Sequence, residues 1–102
     1  MESVYETLLA IKLERLGLKV DRQRPIDIIH DGVEFRGAFV ADLLLDDCLL
    51  LELKSIERIG PIHAKQLLTY LRLMRLPLGL VLNFGAASFR EGVRRVVNEH
   101  KS

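Results

Sequence analysis

The stretch Leu49-Leu50-Leu51-Glu52-Leu53-Lys54 most limits what this chain can become. A near-continuous leucine run of this length reads as a strand covered on both faces. A Gly60-Pro61 pair comes after it, placing proline at the first position of a helix that runs to about Arg75, where Pro77 stops it. A second short apolar run, Leu78 to Phe84, comes next. Strand, helix and strand in that order predict a parallel crossover. The chain is therefore expected to build a central sheet with helices packed on it.

The remaining elements extend that unit. From Ser3 to Leu16, apolar residues fall at Val4, Leu8, Ile11 and Leu16, with Leu9 and Leu13 widening the stripe. That spacing predicts an amphipathic helix, closed by Gly17. Leu18 to Arg24 alternates as a strand, Pro25 interrupts or bends it, and Ile26 to Ile29 continues extended. Asp31-Gly32 is a strong hairpin signal. Val33 to Leu45 and Cys48 to Ser55 read as the next two strands. Ser88, with Glu91 completing a capping box, predicts a last helix with Phe89, Val93, Val96 and Val97 on its apolar side. The expected fold is α/β in the order α-β-β-β-α-β-α. Its mixed four-stranded sheet is an antiparallel meander extended by one parallel strand and flanked by helices.

With 102 residues the chain is expected to form one domain over 1–102. Its 15 Lys+Arg against 14 Asp+Glu give a formal charge of +1, so any nucleic-acid contact must come from a local patch. A lone cysteine, Cys48, excludes an internal disulfide and a four-cysteine metal site within one chain. A reducing cytoplasm is the expected compartment. The start lacks the pattern of a signal peptide, and the apolar runs are too short for a membrane span.

The informative residues are charges in strands that should be buried. Glu52 and Lys54 stand two apart on one strand and so share a face. Asp42 interrupts Phe39-Val40-Ala41-Asp42-Leu43-Leu44-Leu45 on the strand before. Burying unpaired charge is costly. Either the three groups pair with one another, or Asp42 and Glu52 share a hard cation such as Mg²⁺. If Asp42 stands opposite Glu52, then Leu45 opposes Leu49 and the turn is Asp46-Asp47-Cys48. A two-residue Asp46-Asp47 turn would instead put the carboxylates on opposite faces. Asp-Asp lacks the glycine such a turn favours, which supports the longer loop. On the next helix, Gln66 and Tyr70 at i, i+4 share a face, from which Gln66 could reach the same site; the alternative is that the two line a partly exposed helix edge. His30, His63 and His100 lack metal-ligand spacing. His30 and His100 are expected in solvent, and His63 stands in the first turn of the Pro61 helix, the one histidine whose place leaves it open to lie near the site.

Asp42, then Glu52-Leu53-Lys54 on the next strand in an α-β-β-β-α-β order, resembles the PD-(D/E)XK nuclease superfamily, whose fold is restriction-endonuclease-like. Gln66-x-x-x-Tyr70 is similar to the element that comes after E-x-K in its RecB/Cas4-like branch. The whole chain resembles the small GxxExxY proteins at Glu2-Ser3-Val4-Tyr5, Ala41-Asp42-Leu43-Leu44, Leu51 to Ser55, Gln66 to Tyr70 and Leu78 to Phe84. Ala41 stands where the motif has proline. The glycine and leading helix usual in those proteins have no counterpart ahead of Glu2, so a homodimer is expected to cover apolar surface.

The resemblance implies Mg²⁺- or Mn²⁺-dependent hydrolysis of phosphodiester bonds, with DNA as partner. It implies Asp42, Glu52, the Leu53 carbonyl and Glu2 as metal ligands. Lys54 and Gln66 would join Asp42 and Glu52 as catalytic residues. Arg58, Lys65, Tyr70 and Arg72 would lie toward nucleic acid, with Tyr70 buttressing its helix. The alternative is a non-catalytic nucleic-acid- or protein-binding domain that keeps the fold.

Overall fold

In the computed structural model, which describes residues 2–99, a five-stranded mixed sheet carries one helix on each face. The elements run α1 (Glu2–Arg15), β1 (Val20–His30), β2 (Val33–Leu45), β3 (Leu49–Lys54), α2 (Pro61–Met74), β4 (Leu78–Asn83) and β5 (Val93–Val97). Spatial order is the chain order, β1-β2-β3-β4-β5. Only β3 and β4 are parallel, with α2 as the crossover between them. The meander and the parallel extension thus form as expected. The residues from His100 onward lie outside the described part.

Strand alternation divides the leucines between two cores. Leu43, Leu45, Leu51 and Leu53 pack with Ala10 of α1. Leu44, Leu50, Val81 and Val96 pack with Leu67, Tyr70 and Leu71 of α2. This is why β3 reads as an unbroken apolar run: each face has its own helix to meet. Gly79 lets α2 come close, since a Cβ there would lie 3.0 Å from the Leu67 side chain.

Three expectations need correction. The sheet has a fifth strand where a last helix was expected. The Ser88 cap does form, with Glu91 N–H donating to Ser88 Oγ at 3.3 Å, but it leads only into a turn. Gly92 breaks it, and Val93-Arg94-Arg95-Val96-Val97 pairs antiparallel with β4. Branched valines favour a strand, and β4 would otherwise be an open edge. Phe89, expected in the core, is 86% exposed.

The second correction concerns α1. Its buried residues are Glu6 and Ala10, with Leu9 and Leu13 partly covered, while Val4, Leu8, Ile11 and Leu16 face outward. Apolar residues occur all round this helix, so spacing does not select a face. The third is that Pro25, expected to interrupt or bend the strand, does not interrupt it, and β1 continues through to His30. This strand is at the edge of the sheet, where a missing N–H is tolerated.

Candidate active site

The site lies where β2 and β3 part. They pair at Leu45↔Leu49, Leu44↔Leu50 and Leu43↔Leu51, joined by the Asp46-Asp47-Cys48 turn. Asp46 and Asp47 are both left-handed, with φ of 50° and 56°, a conformation aspartate enters more readily than most residues. This is the register that sets Asp42 opposite Glu52.

At that next position the ladder gives way to side-chain contacts. Leu53 N–H donates to Asp42 Oδ2 at 2.7 Å. Asp42 N–H makes a long contact of 3.4 Å to Glu52 Oε1. These two contacts bring the carboxyl groups of Asp42 and Glu52 close together. Glu52 is 8% exposed, and Asp42 is half-buried.

The electrostatics reflect this crowding. Burial pushes the Glu52 carboxyl up to about 8, the charge of Asp42 adds to the rise, and the Asp42 N–H and Lys54 pull against it. Burial likewise raises Asp42, against the Leu53 N–H, and the charges of Glu6 and Glu2 on α1 raise it further. Lys54 offsets part of this. Yet among the described residues no ion pair joins Lys54, or any other cation, to Asp42 or Glu52.

A family model described as the PD-(D/E)XK nuclease superfamily matches residues 1–96. The chain belongs to the PD-(D/E)XK nuclease superfamily. No curated protein and no solved structure matches it. In this PD-(D/E)XK chain the residues that carried the resemblance lie on adjacent strands, Ala41-Asp42 on β2 and Glu52-Leu53-Lys54 on β3. Nucleases of the superfamily generally use divalent metals. Two carboxyl groups set this close in a partly buried site suit such an ion, because a divalent charge would offset their repulsion. Among the described residues no group of three or more His, Cys, Asp or Glu is gathered to hold a metal. Glu2 instead accepts Ser55 N–H at 3.0 Å, just past Lys54.

The other anticipated residues distribute around this PD-(D/E)XK pair. Lys54 is two residues beyond Glu52 and half-buried. Leu53 sends its side chain into the α1-side core. Gln66 is exposed, one helical turn before Tyr70. Tyr70 is buried against Phe39, ring centroids 4.9 Å apart, so its ring serves packing while its hydroxyl feels the Glu52 charge. Burial and that charge raise the phenol, and Gln66 lowers it. Lys65 and Arg72 lie on α2, and both are exposed. Arg58 lines a groove with Glu57, Glu91 and Arg94, between the segment after β3 and the β4–β5 connection. His63 Nδ1 accepts Gly60 N–H at 2.9 Å and so closes the start of α2. His30 and Cys48 are exposed.

Two buried polar residues were not anticipated. Asn83, 6% exposed, holds Ile56 by both backbone groups, accepting its N–H at 2.9 Å and donating to its carbonyl at 2.8 Å. Phe84 N–H donates to the Lys54 carbonyl at 2.9 Å. Lys54 to Ile56 is thus held from β4 and, through Glu2, from α1. Glu6, also 6% exposed, is gripped by Arg22 and Gln23. The one sequence signal for either is a polar residue flanked by apolar ones, Leu80-Val81-Leu82-Asn83-Phe84 for Asn83; Glu6 has none in an ordinary helical pattern.

Proposed function

We propose that the protein is a metal-dependent nuclease that hydrolyses phosphodiester bonds of DNA, with Asp42 and Glu52 holding Mg²⁺ or Mn²⁺. The observation that carries this reading is the buried, unneutralised pair Asp42–Glu52 on diverging strands. Nature keeps such a pair at a cost in stability, and the commonest reason is function. The Leu53 carbonyl and Glu2 are further candidate oxygen ligands.

When bound, the cation supplies positive charge that polarises a phosphate and lowers the pKa of a coordinated water. Lys54, two residues from Glu52, would orient an attacking water or take its proton, and would stabilise charge developing on the phosphate. Gln66 positions the water or a phosphate oxygen, and Tyr70 keeps Gln66 in place. Arg58, Lys65 and Arg72 track the nucleic-acid backbone by charge. Kinship with the GxxExxY proteins and the RecB/Cas4-like branch is the finer placement we favour, with a cytoplasmic site of action.

The outward face of α1 supports self-association. Val4, Leu8 and Ile11 are 53%, 54% and 40% exposed along one line, and a two-fold contact is the usual way to cover such a stripe.

The test is cleavage of labelled single- and double-stranded DNA in Mg²⁺ or Mn²⁺, wild type against Lys54→Ala. Metal-dependent cleavage lost in the variant supports the reading. DNA bound without cleavage by both proteins would favour a binding domain.

A further inference from the structure

We infer that Glu6 is a positioning residue for Asp42, acting through a left-handed Gln23. The inference rests on the reading of Asp42 as a functional carboxylate. It starts from a break in strand alternation.

Arg22 and Gln23 are neighbours on β1, yet both reach Glu6. Arg22 donates to Oε2 through Nε at 3.1 Å and Nη2 at 2.9 Å, and Gln23 Nε2 donates to Oε1. Adjacent residues of a regular strand point to opposite faces. Gln23 evades this with φ of 51°, a left-handed setting that glutamine does not choose unaided. The faces then exchange. Arg22 reaches α1, but Ile26 packs in the α2-side core. On β2, Leu43 belongs to the α1-side core and Ala41 to the α2-side core. The run of pairs between β1 and β2 passes from Arg22↔Leu43 to Arg24↔Ala41 and skips Gln23 and Asp42.

Asp42 therefore sits at the change of face, released from pairing with β1 and past the last pair with β3. That release lets its carboxylate turn to Leu53 N–H and its N–H to Glu52. Had β1 stayed regular, Asp42 would be an ordinary ladder residue. Glu6 is buried, and both its oxygens are committed to Arg22 and Gln23, so it holds the kink without itself reaching Asp42 by a hydrogen bond.

The experiment is amide hydrogen exchange on the ¹⁵N-labelled, metal-free protein. The Leu53 amide reports the Asp42 contact, and the Leu44 and Leu50 amides report general stability. Glu6→Ala should cut Leu53 protection roughly tenfold beyond any change at Leu44 and Leu50. Adding Gln23→Gly should restore it, because glycine adopts the left-handed setting without a grip. Mn²⁺ affinity, read by water-proton relaxation, should fall roughly 10–100-fold in Glu6→Ala and recover in the double variant. Glu6→Gln, which turns an amide nitrogen toward one of the two donors, serves if the alanine variant does not fold, and should behave alike. Unchanged Leu53 protection overturns the inference. So does a loss that glycine fails to repair, since Glu6 would then be merely structural. Exchange needs no metal, so a chain that binds no Mn²⁺ yet shows loss and rescue at Leu53 would sink the proposed function and leave the positioning role standing.

Discussion

Glu52 accepts the backbone N–H of Asp42 through Oε1, at the point where β2 and β3 stop pairing. The contact brings together the carboxyl groups of a buried Glu52 and a half-buried Asp42.

Stability should carry the mark of this crowding. Glu52 rises from an ordinary 4.5 to about 8 in the fold. The folded state therefore binds more protons than the unfolded one between those values. Its contribution is full below about pH 4 and lost as pH rises through 8. Urea denaturation of the metal-free protein should give falling stability from about pH 5 to 8, by at most ~1.4 kcal/mol per unit. In Glu52→Gln that fall should largely disappear.

Asn83 makes a separate prediction. Asn83→Leu would strand the Ile56 N–H and carbonyl, each costing about 1–3 kcal/mol if left buried and unpaired. Denaturation midpoints should drop accordingly. Asn83→Asp keeps the acceptor but loses the donor, and should fall between wild type and leucine at neutral pH.

The sheet order, the three-residue turn and the facing of Asp42 and Glu52 were legible because period-two alternation and turn chemistry are local. Asp31-Gly32 and Gly60-Pro61 likewise state their own geometry. The fifth strand was not, because Ser88 and Glu91 do form a cap bond while the open edge of β4, a tertiary fact, decides the conformation after Gly92. The facing of α1 was hidden for a related reason: the helix turns inward the carboxylate of Glu6 that Arg22 and Gln23 require, not its most apolar line. No pattern of residue types announces a left-handed glutamine such as Gln23.

Self-association through α1 predicts a mass above 11.6 kDa by light scattering at high concentration. Leu8→Lys, at an exposed position, should return it to the monomer without lowering the melting temperature.

The central claim is that Asp42 and Glu52 repel each other in order to hold a cation. A thermal melt series on wild type and Asp42→Asn, each with and without millimolar Mg²⁺ or Mn²⁺, tests it most directly. An asparagine oxygen still accepts Leu53 N–H, and one like charge is gone. The account predicts that metal raises the wild-type melting temperature, as any ligand of the folded state does. It predicts no such rise in Asp42→Asn, whose metal-free form should be as stable as wild type or more so. A wild type indifferent to both metals, with a strongly destabilised Asp42→Asn, would contradict it.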